Sequence, residues 1–271
     1  MKRATVLVNT ALFVGAILVV FPLLWMLSVS FMPRGAATAY PPPLLPVEAT
    51  LANYHELFTR HAAGRYMLNS ALIAACATAI SLTFNTMAGY AFAKLRFAGR
   101  ERIFQTLLGA LVIPAQVTMI PLFALVKSLG LVSTYGGVIV PAMASVFGIF
   151  LVRQYALSLP DELLEAARID GASEWRIFRS IVVPLLRPIL VTLGILTFLA
   201  TWNDFMWPLI VLTDQQLHTL PVALAGLARE HVQDNELMMA GAVITIVPVL
   251  VLFLAMQRYY IAGILAGSVK G

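Results

Sequence analysis

Five long stretches of this chain carry no charged side chain: 4–33, 66–93, 103–126, 128–152 and 237–257. A sixth, 188–213, is interrupted only by Asp204. A helix needs roughly 20 residues to cross about 30 Å of hydrocarbon, and every run is long enough. In lipid each backbone amide must be satisfied by protein, so only helices or a closed barrel can span. The two-residue alternation of barrel strands is absent. The sequence therefore reads as an all-α integral membrane protein with six transmembrane helices. They are expected over 6–32, 67–93, 103–127, 131–157, 185–212 and 237–260, within one transmembrane domain covering 1–271. No internal repeat or soluble-domain boundary interrupts it.

Composition agrees. Hydrophobic residues make up 60% of the chain and charged residues 11%, against about 25% charged in soluble domains. The net charge of +5 raises nucleic acid as a partner, but such proteins gather their basic residues on a soluble face. Here the basic residues sort by side of the membrane. With both ends inside, Lys2, Arg3, Lys94, Arg96, Arg100, Arg102, Arg153, Arg168, Arg176, Arg179, Arg187, Arg258 and Lys270 are inner. Only Arg34, Arg60, Arg65, Lys127 and Arg229 are outer. That is the positive-inside pattern, so the partner the charge implies is the lipid bilayer and not nucleic acid. The chain is expected in the cell (inner, cytoplasmic) membrane, multi-pass, with cytoplasmic N- and C-termini. Lys2 and Arg3 before an apolar run, with Ala37-Thr38-Ala39 after it, resemble a cleavable leader. The apolar core far exceeds the roughly 7–15 residues of such a leader, so a retained first helix is expected. Outside, Pro41-Pro42-Pro43 and Pro46 favour an extended path, with a short surface helix over 51–58.

The inner loop 158–184 holds the densest chemistry. Pro160 followed by Asp161 and Glu162 suits a helix start. Gly171 can end that helix in the left-handed region, and Ser173 can cap a second helix running to Pro184. The expected product is a helix–turn–helix. Small Ala166 and Ala167 permit close approach of another surface, and Glu165 and Asp170 offer it charge. The residues alone also fit an amphipathic connector lying on lipid headgroups.

Glu165-Ala166-Ala167, then Gly171, then Ile181-x-x-Pro184 resembles the EAA loop of binding-protein-dependent ABC importers. Val183, where leucine is frequent, is a mild departure. The resemblance implies that this loop, between the fourth and fifth helices, is a coupling helix docking on a cytoplasmic ATPase through Glu165, Ala166, Ala167, Asp170, Gly171, Ala172, Phe178 and Pro184. The chain as a whole resembles the smaller permease of the carbohydrate-uptake, maltose-type branch. Asn69-Ser70 and the ending Gly267-Ser268-Val269-Lys270-Gly271 share in that likeness. It implies a cytoplasmic tail, 261–271, touching the ATPase through Gly267, Val269 and Lys270. It further implies a second permease subunit, usually a different chain, an ATPase dimer that binds the ATP, and an extracytoplasmic solute-binding protein. The function implied is alternating-access import of a sugar or related solute, a glycerol-phosphate compound being the near alternative. An anion site favours arginine, and no arginine falls mid-span.

Asp204, within Trp202-Asn203-Asp204-Phe205-Met206-Trp207, is an acid inside an apolar run, and such groups usually face a cavity or bundle interior. Trp202, Asn203 and Asp204 can form part of a sugar path, or the tryptophans can be an interfacial belt. Gln116, Thr118 and Asn85 either join that path or bond neighbouring helices. Pro114, Pro121, Pro141 and Pro248 are expected to kink helices. Cys76, the one cysteine, reads as packing, and one cysteine allows no internal disulfide.

No G-x-x-x-x-G-K-[ST] phosphate loop, H-E-x-x-H motif or nucleophile–base pairing occurs, and His55, His61, His218 and His231 lie in outer segments. No catalytic residue, metal site or cofactor of its own is therefore expected. A self-sufficient secondary transporter, the rival class, needs a coupling-ion site and paired broken helices in two halves.

Overall fold

The computed structural model describes residues 2–230 and 234–268, with side chains at 5–228 and 234–257. Its described residues are helical and contain no strand. The helices are α1 (Lys2–Ser30), α2 (Ala52–Thr59), α3 (Ala63–Lys94), α4 (Arg100–Ala110), α5 (Ala115–Ser128), α6 (Tyr135–Ile139) and α7 (Val146–Leu157). They continue with α8 (Asp161–Ile169), α9 (Glu174–Ile177), α10 (Val183–Leu185), α11 (Arg187–Trp202), α12 (Met206–Val211), α13 (Leu220–Glu230) and α14 (Asn235–Ser268).

Three of these, over Thr5–Ser30, Ala63–Lys94 and Asn235–Gln257, are long and apolar enough to cross a membrane unaided. Two more candidates are bent pairs: α4 with α5 at 107°, and Glu174–Leu185 with α11 at 77°. The expected third run thus contains two helices rather than one. Proline explains the break, since Pro114, with no N–H to donate, sits at ψ 135 as the N-cap of α5. Pro141 likewise falls between α6 and α7. Pro121 and Pro248, in contrast, lie inside α5 and α14. The stretch expected as a tail remains helical to Ser268.

The chain divides into two compact units. One comprises the chain up to Met67 with Leu220–Leu250. In it Leu57, Ala63, Leu227, Leu237 and Ala240 form a buried core. The strap after α1 is tied down by polar bonds. Asn53 Nδ2 donates to Ser30 O at 3.0 Å and Met32 O at 2.9 Å, Arg34 pairs with Asp234, and Ala37 N donates to Glu236 Oε1 at 2.7 Å. Only 6% of the α1 span is buried, against 33% for α3.

The second unit comprises Leu68–Thr219 with the chain from Val251 on. Its main core joins Tyr90, Val152, Ala156, Leu164, Ile177, Val182, Leu186 and Leu193, so α3, α7 and α11 hold the α8–α9 segment. A second core sets Ile73, Val126 and Val138 against Trp207 and Val211. α7 approaches α3 so closely at Gly148 that a Cβ there would meet Asn85 Nδ2 at 2.4 Å and Ser145 Oγ at 2.7 Å.

That contact gives a test. Gly148→Ala should cost about 1–3 kcal/mol through overpacking. In detergent its thermal midpoint should fall below that of Gly109→Ala, where a Cβ meets no atom within 4 Å; equal midpoints would contradict the packing.

Candidate functional site

The 158–184 segment folds as a closed helix–turn–helix. Pro160 caps α8 at φ −61, ψ 130, and Asp161 and Glu162 occupy the first turn, where carboxylates complement the helix dipole. Asp170 is the C-cap and Gly171 follows at φ 79. Gly171 N donates to Arg168 O at 3.0 Å, and Ala172 N to Ala167 O at 3.0 Å. These two bonds make a Schellman closure, in which Ala167 and Ala172 meet over the same core. A left-handed turn of this kind suits glycine because it lacks a Cβ. Ser173 Oγ then accepts from Arg176 N at 3.3 Å, capping α9. A π-helical turn, Phe178–Val182, follows.

Polar bonds seat this unit. Lys94, at the end of α3, donates from Nζ to Asp161 Oδ1 and Leu159 O, both at 2.6 Å. Glu174 accepts from Arg168 Nε at 2.6 Å and from the Tyr90 hydroxyl at 3.2 Å. Phe178 packs on Tyr90 with ring centroids 5.5 Å apart. The hydrogen bond from Lys94 holds the Asp161 carboxyl below its usual range. That from Arg168 does the same for Glu174, with Tyr90 helping.

The residues singled out from the sequence separate into two sets. Glu165, Ala166, Asp170 and Gly171 are exposed. Ala167, Ala172 and Phe178 are half-buried and pack against the core. Pro184 lines a cavity of about 540 Å³ with Arg187, Leu190 and Met256. The exposed face also carries Ile169, 86% exposed, and Trp175, 60% exposed. Sequence reasoning missed both. Their signal was an apolar side chain in the most polar segment of the chain.

The other candidates are differently placed. Asn85 is fully buried; its Nδ2 donates to Ser81 Oγ at 2.8 Å and its Oδ1 accepts from Ser145 N at 3.0 Å. It joins α3 to the start of α7. Asp204 lies between α11 and α12, and its Oδ1 accepts from Trp207 N at 3.4 Å; the run read as one helix over 185–212 breaks there. Trp202 is 2% exposed and stacks on Phe198 at 5.8 Å. Trp207 is buried, its Nε1 donating to Gly137 O at 3.0 Å. Asn203, Gln116 and Thr118 are exposed. Asn69, of the Asn69-Ser70 pair, holds the 214–219 loop through Gln216 O and His218 O, both at 2.9 Å. Gly267 falls in α14, whereas Val269, Lys270 and His231 lie outside the described residues.

Residues 85–265 match the family of binding-protein-dependent transport system inner membrane components. The chain is 43% identical to an arabinooligosaccharide transport system permease of Halalkalibacterium halodurans, over 94% of this chain and 93% of that one. It is 32% identical to an sn-glycerol-3-phosphate transport system permease of Escherichia coli, over 96% and 95%. Among solved structures, a chain of a bacterial ABC transporter that imports the acidic polysaccharide alginate superposes with a TM-score of 0.85 at 25% identity. That match covers 96% of this chain and 97% of the other.

The two depressed carboxyls fix the sign of a pH effect. Their stabilisation is present above the ordinary carboxylate range and is lost as pH falls through the lowered values. Amide exchange in α8 and α9 should be low and steady from about pH 7 to 5 after correction for intrinsic rate, then rise below about pH 4. Glu174→Gln should weaken that rise; an unchanged profile would contradict the pairing.

Proposed function

The chain belongs to the family of binding-protein-dependent transport system inner membrane components, and on that premise we propose that it is the permease subunit of an ATP-driven sugar importer. It is read as a six-span chain, comprising α1, α3, the α4–α5 pair, the α6–α7 pair, the α11–α12 run and α14, with both termini cytoplasmic. The unequal distribution of basic residues supports that orientation.

In this reading α8 and α9 face a partner ATPase. The observation that carries it is the closed turn at Gly171, which presents Glu165, Ala166 and Ile169 on an exposed face while Ala167, Ala172 and Phe178 anchor it to the core. Such a unit moves as one body. Force applied at Ile169 therefore reaches α3 and α11 through Tyr90, Leu164 and Ile177, rather than being absorbed by a flexible loop. ATP is bound and hydrolysed by the partner and not by this chain. The tail ending in Val269 and Lys270 is proposed as a second contact with that partner.

The outer segments meet a solute-binding protein, and a second permease completes the pathway. A sugar or oligosaccharide is the solute favoured by the arabinooligosaccharide permease and the alginate importer. The glycerol-3-phosphate relative keeps a phosphorylated polyol as the second reading. Exposed Gln116 and Asn203, not buried Asn85 and Trp202, are the better candidates for contact with a hydroxylated solute.

Gly171→Val tests the coupling role, since a β-branched residue at φ 79 is strained. In proteoliposomes with its partners the variant should assemble and hydrolyse ATP while uptake falls about tenfold or more, a penalty of roughly 1.4 kcal/mol per decade. Uptake equal to wild type at equal expression would overturn the role.

A further inference from the structure

Residues 35–47 contain no charge, yet they turn their apolar side chains outward. Tyr40 is 99% exposed, Leu44 63%, Leu45 75% and Val47 94%. The segment is nonetheless held at defined points. Ser28 Oγ donates to Leu44 O at 2.6 Å, and Thr50 N donates to Phe31 O at 2.8 Å. Ser28 belongs to the last turn of α1, which ends at Ser30. Leu44 therefore lies level with the outer end of an apolar helix, not beyond it.

We propose that residues 40–47 form an interfacial anchor on the outer leaflet of the bilayer. Leu44 and Leu45 reach the acyl boundary, and Tyr40 sits among the headgroups. Irregular backbone is costly at that depth because its amides lose water. Pro41, Pro42, Pro43 and Pro46 have no N–H to leave unpaired, and the Leu44 carbonyl already accepts from Ser28. Tyrosine, with an apolar ring and a wet hydroxyl, suits the headgroup level. A soluble partner would have to reach below the end of α1 to cover Leu44, whereas lipid is already there. The anchor rests on the reading of α1 as a span and would hold its outer end at a fixed depth.

Single cysteines at Leu45, Glu48 and Val19, in a Cys76→Ala background, can carry an environment-sensitive fluorophore. The chain is purified with the subunits that accompany it and placed in phosphatidylcholine nanodiscs. Lipid bearing a nitroxide at carbon 5 should quench the probe at Leu45 several-fold more than that at Glu48, and aqueous iodide should do the reverse. Iodide access at Leu45 equal to that at Glu48, with Val19 still quenched by the lipid, overturns the anchor alone. Loss of lipid quenching at Val19 overturns the span reading and the anchor with it. Protection of Leu45 only after a solute-binding protein is added also overturns the anchor. For the unmodified chain, phosphatidylcholine carrying a diazirine near its headgroup should photolabel residues 40–47; labelling of α1 without that segment would count against the proposal.

Discussion

A backbone amide in hydrocarbon must find a protein partner, and much of this structure follows from where helices fail to supply one. The uncharged runs are long, yet several are not continuous helices. α4 and α5 part at 107°, α6 and α7 are separated around Pro141, and α11 ends before Asp204. Each interruption frees backbone groups that water repairs in a soluble protein. Around the α6–α7 and α11–α12 breaks polar side chains repair them: Asn85 takes Ser145 N, Ser145 Oγ takes Gly148 N, Asp204 takes Trp207 N, and Trp207 gives its indole proton to Gly137 O. Most of the polar inventory within the apolar runs is thus committed to backbone.

This changes how such residues are read. A buried asparagine or aspartate in an apolar run invites assignment to a solute path, because isolated polar groups in lipid are costly. The cost is real, but at Asn85 and Asp204 it is offset by the donors they satisfy. The exposed polar side chains beside the breaks are Gln116, near the start of α5, and Asn203, at the end of α11, whose Nδ2 donates to Leu199 O at 2.8 Å.

The α8–α9 unit was the most legible part of the chain, because caps are local chemistry. Pro160, Gly171 and Ser173 announce start, stop and restart within a few residues, and all three do so in the structure. Division of the motif between an inner and an outer face was not legible, since it depends on what α3 and α7 bring to the contact. Ile169 and Trp175 escaped notice for the same reason: exposure is a property of the packed chain. The breaks were half legible. Proline marks Pro114 and Pro141, but Pro121 and Pro248 carry the same mark inside continuous helices. No local signal marks the size of the 107° angle or the end of α11 at Trp202.

The coupling role of α8 stands or falls on what its exposed face touches in the assembled protein. A photoreactive phenylalanine analogue at Ile169, with a second at Phe58 in the other unit as reference, would read this in native membranes. In that role the probe at 169 should crosslink a nucleotide-hydrolysing subunit, with a yield that changes when ATP is bound, while the probe at 58 does not. Crosslinking from 169 only to lipid would contradict it and would return this segment to the role of a surface-lying connector.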